Sequence, residues 1–163
     1  MIGSEVPYDY ARSGHPNRAL LEEKLAALED AEYGIAYNSG IGAISAVFFL
    51  LKSGDHLIIP NDVYGGTYRL CEHVLPGFNI EVTAVDTTNP LAVEQAIQEN
   101  TKLIHLETPS NPLFKVTDIQ AIADVAKKHN ILVSVDNTFL TPLSQKPLHL
   151  GADIVIHSAT KFL

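Results

Sequence analysis

The sequence has a single cysteine, Cys71, so no disulfide can form within the chain and no cysteine pair is available to a metal. Basic residues never form a block: 11 Lys and Arg stand against 19 Asp and Glu, for a net charge of −8. That balance lacks a phosphate-backbone footprint and excludes nucleic acid as a partner. No basic segment followed by an apolar stretch opens the chain, and the longest apolar run, around 43–51, is far too short to span a bilayer, so a membrane is not expected. A G-x-G-x-x-G turn and a Walker loop are missing, which weighs against a plain nucleotide-binding domain. The 7 histidines show no metal-ligand spacing, so no metal is expected. Low-complexity linkers and fixed-period repeats are absent too. What remains reads as a cytoplasmic globular domain of 163 residues, 46% hydrophobic, large enough for one substantial core.

Short apolar runs alternate with amphipathic ones. Six strands are predicted, at 34–37, 56–60, 80–85, 103–107, 132–136 and 153–157, with helical material in the gaps. A first helix opens at Pro16 and runs to about Leu28, with Leu20, Leu21, Leu25 and Leu28 on one face. Asn89 and Pro90 read as cap and first position of a later helix. Thr117-Asp118 can cap a helix at 119–128, whose basic end at Lys127 and Lys128 suits its dipole. Cys71, among Tyr68, Leu70 and Val74, falls in a predicted helix and is expected to be buried. Strands joined by crossover helices are parallel, so the predicted fold class is α/β, a mostly parallel open sheet with helices on both faces. Residues 1–30 read as an N-terminal arm and first helix, and 31–163 as the α/β domain.

Open parallel sheets bind ligands beyond the carboxyl ends of their strands, so the residues after each strand carry the functional information. After the first comes Asn38-Ser39-Gly40-Ile41-Gly42, a small-residue turn into a helix predicted at 43–51, where main-chain amides and the helix dipole can hold a phosphate. After the second comes Tyr64-Gly65-Gly66-Thr67, whose glycines permit a tight turn and whose ring can lie flat on a planar ligand. Glu107-Thr108-Pro109-Ser110-Asn111-Pro112 follows the fourth, and Asp136-Asn137-Thr138 ends the fifth. The sixth delivers Ser158-Ala159-Thr160-Lys161, a lysine where a buried strand opens into a polar pocket. Desolvation there would favour the neutral amine, the form that attacks a carbonyl. A phosphate cradle, an aromatic plate, a carboxylate and a lysine at one sheet edge fit a phosphorylated planar aldehyde, pyridoxal 5'-phosphate.

With Tyr10-Ala11-Arg12-Ser13-Gly14, these strings in this order resemble the Cys/Met-metabolism, or trans-sulfuration, family of pyridoxal-phosphate enzymes over nearly the whole chain. The resemblance implies a fold type I cofactor-binding domain and makes Lys161 the Schiff-base lysine. Asp136 would be the partner of the pyridine nitrogen and Tyr64 the stacking ring, either a plate alone or a proton carrier as well. Ser39, Gly40, Ile41, Ser158 and Thr160 would hold the phosphate, Asn111 would hydrogen-bond near the phenolic oxygen, and Glu107 would support that loop. Tyr10 and Arg12 would reach the phosphate bound by a neighbouring subunit. The implied assembly is a dimer with shared active sites, and a tetramer when complete. The implied substrate is a sulfur-containing amino acid, and the closest look is to bacterial cystathionine lyases, C–S lyases acting by elimination. A cystathionine γ-synthase, an O-acyl-homoserine sulfhydrylase, or an inactive fragment are the alternatives.

Some positions depart from the family pattern. His15 and Asn17 stand where Asn and Thr are usual, Asn38 where serine is common, and Ile41 where methionine is common. Ser158-x-x-Lys161 also has the spacing of penicillin-recognising enzymes, but their Ser-Asp-Asn and Lys-Thr-Gly partners are missing. The family continues past the lysine into an antiparallel strand, which lies between the first and sixth strands, and a second domain. A fragment with a gap in its sheet is therefore expected.

Overall fold

The computed structural model describes Tyr8 and residues 10–163. The chain divides into two compact units, Met1–Ala36 and Tyr37–Leu163. The N-terminal unit contains α1 (Pro16–Glu29), which opens as expected with proline at its first position and His15 as cap, the imidazole accepting from the Asn17 N–H at 3.2 Å. Its predicted apolar face is not its buried one: Leu20, Leu21 and Leu28 are exposed, whereas Ala26 and Glu29 are buried. The arm after α1 lies against it. The Ala36 N–H donates to Glu22 Oε1 at 2.8 Å, and a Cβ on Gly34 would come within 2.3 Å of the Glu22 carbonyl oxygen.

The second unit holds α2 (Gly40–Phe48), β1 (His56–Pro60), α3 (Gly65–His73), β2 (Glu81–Val85), α4 (Pro90–Ala96), β3 (Thr101–Glu107), α5 (Ile119–Lys128), β4 (Leu132–Asp136), a short α6 (Thr141–Ser144) and β5 (Ile154–Ile156). The five strands form one sheet in the order β2-β1-β3-β4-β5, every neighbouring pair parallel. Alternation along the strands sorts side chains between two cores. Ile58, Ile104, Leu106, Val133 and Val135 pack with Val93 of α4 and Ile119 and Ile122 of α5. On the opposite face, Leu57, Ile59, Leu103 and Ile156 pack with Ile44 and Phe48 of α2 and Leu70 and Cys71 of α3. Helices therefore cover both faces, as an all-parallel sheet requires.

Two expectations need correction. The segment 34–37 is not a strand among the described residues. A strand exists only by pairing, and among the described residues this segment pairs with no strand of the sheet, its Ile35 and Tyr37 side chains exposed. The helix expected at 43–51 begins three residues earlier and ends at Phe48, because the Ser39 hydroxyl accepts from the Gly42 N–H at 3.1 Å and caps it. The Asn89 and Asp118 caps fall where expected. Among the described residues no helix is long and apolar enough to cross a membrane, and no cluster of His, Cys, Asp or Glu is arranged to hold a metal ion.

Candidate active site

Sheet order reverses between β1 and β3: the chain goes from β1 out to β2 and returns on the other side of β1 to β3. A crevice opens at such a switch point, beyond the strand ends. Here a cleft of ≈ 280 Å³ is lined by Ser39, Gly40, Ile41, Tyr64, Asn111, Asp136, Ser158, Thr160 and Lys161, nine of the residues singled out from sequence. Glu107 lines it as well, together with four that sequence reasoning missed: Ile44, Pro109, Thr138 and Phe139. Tyr10 and Arg12 belong to the N-terminal unit, where the guanidinium lies 4.8 Å from the centroid of the Tyr10 ring.

At one end of the cleft, α2 presents its N-terminus. The Gly42 N–H is taken by Ser39 Oγ and the Ala43 N–H by the Ser39 carbonyl, so the amides of Gly40 and Ile41 are, among the described residues, the unpaired ones of the first turn. Ile41 contributes a main-chain donor while its side chain packs against the core. Gly40 is required by close approach: a Cβ there would come within 2.8 Å of Ser158 Cβ and 3.0 Å of its Oγ.

Glu107 ends β3 and Asp136 ends β4, opposite one another in register, so two carboxylates stand side by side. Both are buried. Glu107 accepts the Tyr64 N–H on Oε2 at 2.8 Å and the Asn111 N–H on Oε1 at 2.9 Å, joining the loops that bear the aromatic ring and the amide. Burial pushes its pKa up to about 7, Asp136 adds like-charge repulsion, and the two N–H bonds pull the other way. The Tyr64 ring folds over Gly66, where a Cβ would meet Cε1 at 2.4 Å. The Asn111 loop is braced from below by buried Asp62, which accepts from the Ser110 hydroxyl and from the Leu113 N–H at 3.2 Å.

Asp136 takes both bonds from Thr138 on Oδ1, from the N–H at 3.0 Å and the hydroxyl at 2.5 Å. Its Oδ2 has no hydrogen-bond partner among the described residues. Burial raises its pKa, offset in part by the Thr138 bonds and the charge of His157. Asn137 is structural: buried, it donates its N–H to the Ile156 carbonyl at 2.9 Å and exchanges side-chain bonds with Gln145. Lys161 lines the cleft but is exposed, so the burial expected for it from sequence is not found in this chain. Its short turn, closed by the Lys161 N–H to the Ser158 carbonyl at 3.1 Å, leaves the side chain at the open mouth. Cys71, buried in α3, is pushed up to about 12 by desolvation and Glu72, which makes it an inert thiol.

These residues fit a phosphorylated pyridine aldehyde. A buried carboxylate has one unengaged oxygen for a protonated ring nitrogen, a helix N-terminus has two free amides for a phosphate, and a glycine leaves that cradle empty. Fold and cleft together define the pyridoxal-phosphate-binding class. Within that class the chain belongs to the family described as Cys/Met metabolism PLP-dependent enzyme, whose profile matches residues 1–163. It is 63% identical over 163 residues to the cystathionine beta-lyase MetC of Staphylococcus haemolyticus, and 53% identical over 161 to the cystathionine gamma-lyase of Bacillus subtilis. Those alignments cover 100% and 99% of this chain. A crystal structure of cystathionine gamma-lyase from Lactobacillus plantarum, complexed with L-serine, superposes with a TM-score of 0.95 at 52% identity over 98% of this chain. The chain spans 42% of the length of each of these relatives.

Proposed function

We propose that this protein is a pyridoxal-phosphate-dependent carbon–sulfur lyase of sulfur amino-acid metabolism, cleaving cystathionine or a related thioether amino acid by elimination. The observation that carries this reading is the convergence of Lys161, Asp136, Tyr64 and the α2 amides on one cleft, in a chain 63% identical to a cystathionine beta-lyase. When bound, the cofactor supplies an electron sink for the pair released from the substrate Cα.

The rest falls to the chain's own residues. Lys161 would hold the cofactor by its aldehyde, and its amine, lining the same cleft, would be the group that takes the substrate's Cα proton. Asp136 Oδ2 keeps a proton on the ring nitrogen, which makes the sink effective. Tyr64 covers one ring face, Asn111 binds near the phenolic oxygen, and Glu107 holds both loops in place. Ser39, Gly40, Ile41, Ser158 and Thr160 hold the phosphate. A thiolate leaving from Cβ completes elimination, and removal of a further proton from Cβ would extend it to Cγ. Tyr10 and Arg12 reach the phosphate of a neighbouring subunit, in a dimer with shared sites and a tetramer when complete. A cytoplasmic location agrees with one buried, unpaired cysteine.

The test combines capture with product analysis. Borohydride reduction of the cofactor-treated full chain should fix the cofactor's mass on Lys161, and cystathionine should yield a free thiol with pyruvate or 2-oxobutyrate. Label on any other lysine, or a thiol-free product from cystathionine, would overturn the reading.

A further inference from the structure

Thr138 was not assigned a role from sequence, yet its hydroxyl joins the two ends of the cleft. It donates to Asp136 Oδ1 at 2.5 Å and accepts the Ser158 N–H at 2.8 Å. A hydroxyl has one proton, and a main-chain amide can only donate, so the order is determined: Ser158 N–H to Thr138 Oγ1, and Thr138 O–H to Asp136 Oδ1. The Ser158 amide is thereby engaged within the protein, and only the hydroxyl of Ser158 is left for an anion beside Gly40.

We propose that Thr138 is a positioning residue for the cofactor: its hydroxyl holds the Asp136 carboxylate by Oδ1, leaving Oδ2 for the ring nitrogen, and locks the phosphate end at Ser158 at a set distance from it. Resting on the pyridoxal-phosphate reading of the cleft, this adds a residue that touches neither reacting atom nor substrate but sets the spacing of the two groups that do the binding. The fold itself does not need the hydroxyl. β4 and β5 are already joined by their ladder and by the Asn137 N–H to the Ile156 carbonyl, and the Thr138 N–H bond to Asp136 survives removal of the side-chain oxygen.

The test compares Thr138→Val, which keeps the shape and loses the hydroxyl, with Thr138→Ser, which keeps the hydroxyl. Pyridoxal phosphate is titrated into the full chain of each, binding is followed by cofactor absorbance across the pH range in which the fold persists, and borohydride label is located. Thr138→Val should bind about tenfold or more weakly, the usual loss for a hydrogen bond to a charged group. Its acid limit of binding should also move to higher pH, because Asp136 loses a bond that favours its carboxylate. Glu107 from β3, His157 beyond β5 and Lys161 across the cleft also face this region, but they are common to all three proteins, so the difference in profile reports Asp136. Thr138→Ser should restore both affinity and profile.

A Val variant with wild-type affinity and profile overturns the proposal, as does one whose weakening is equal at every pH. If the Val variant does not fold, the Ser variant decides, and loss of the wild-type profile there overturns it as well. Absence of label on Lys161 in the wild type overturns the reading of the cleft together with the proposal, whereas label in the wild type with an unchanged Val variant overturns the role of Thr138 alone.

Discussion

The two ends of the sheet both bury ionisable groups, and they do so in opposite ways. At the amino end, His56 is fully buried with both ring nitrogens engaged, Nδ1 with Thr101 Oγ1 at 2.7 Å and Nε2 with Thr83 Oγ1 at 2.8 Å. At the carboxyl end, Asp136 is buried with Oδ1 engaged and Oδ2 left over among the described residues, beside a second carboxyl whose pKa is pushed up to about 7. A satisfied buried polar group staples strands together. One that is only half satisfied and faces a cleft keeps bonding capacity in reserve for a ligand. The comparison teaches that burial alone does not mark a site, and that the unspent hydrogen-bonding capacity does.

The largest expected effect lies at the carboxyl end. Lys161→Ala should abolish borohydride-fixed labelling altogether, because no other amine lines the cleft among the described residues. Labelling in that variant would break the distinction between the ends. Next, Asp136→Asn should weaken cofactor binding by about 10- to 100-fold, the loss expected when a charge-assisted bond becomes neutral, with little change in thermal stability. A melting-temperature drop as large as that of a core variant would instead make Asp136 a structural group.

The converse experiment is His56→Ala. It strips Thr101 and Thr83 of their partner and opens a cavity, so it should cost about 2–4 kcal/mol of stability in chemical denaturation while leaving Lys161 labelling intact.

pH sharpens the contrast further. Burial lowers the pKa of His56 and pulls that of His105 down to about 3, so the folded state binds fewer protons than the unfolded one below about pH 6.5 and stability falls on acidification. Glu107 works in the opposite sense. Its folded value of about 7 lies above the ordinary 4.5, so in that window the folded state holds a proton the unfolded state releases, and its contribution declines as pH rises. Glu107→Gln should therefore steepen the rise of stability with pH between those values. An unchanged slope in urea titrations would mean that Glu107 is ionised throughout. The smallest effect is a pair of cap deletions: Ser39→Ala and Asp118→Ala should each cost about 1 kcal/mol, but only the first should also weaken cofactor binding, because only its helix opens on the cleft.

Much of this was legible in one dimension. The strands at 56–60 and 132–136 and the helix at 119–128 coincide with β1, β4 and α5, because each pairs an unbroken apolar pattern with an explicit start or stop. Nine site residues share a cleft because parallel strands deliver whatever follows them to one edge. The misses have physical causes. The segment 34–37 has strand composition but no partner strand in the sheet, and pairing is a property of two segments. The start of α2 differs from the expected one because a side-chain cap outweighs the apolar run, and the leucines that share one face of α1 stay largely exposed because burial needs a neighbour. Thr138 sat in plain view two residues after Asp136, a spacing known for local side-chain to main-chain bonds, but its bond to Ser158 spans 20 residues of sequence.

The sequence by itself determined the α/β class, the parallel sheet and the family, because periodicity, caps and the residues after strands are local and survive without coordinates. Only the tertiary structure decided that Glu107 clamps two loops, that Asp136 has one oxygen committed and one free, that Gly40 has no room for a side chain, and that Lys161 stands exposed. Those facts depend on which atoms of distant segments come within 3 Å of each other, and on how much water is left around them once they do.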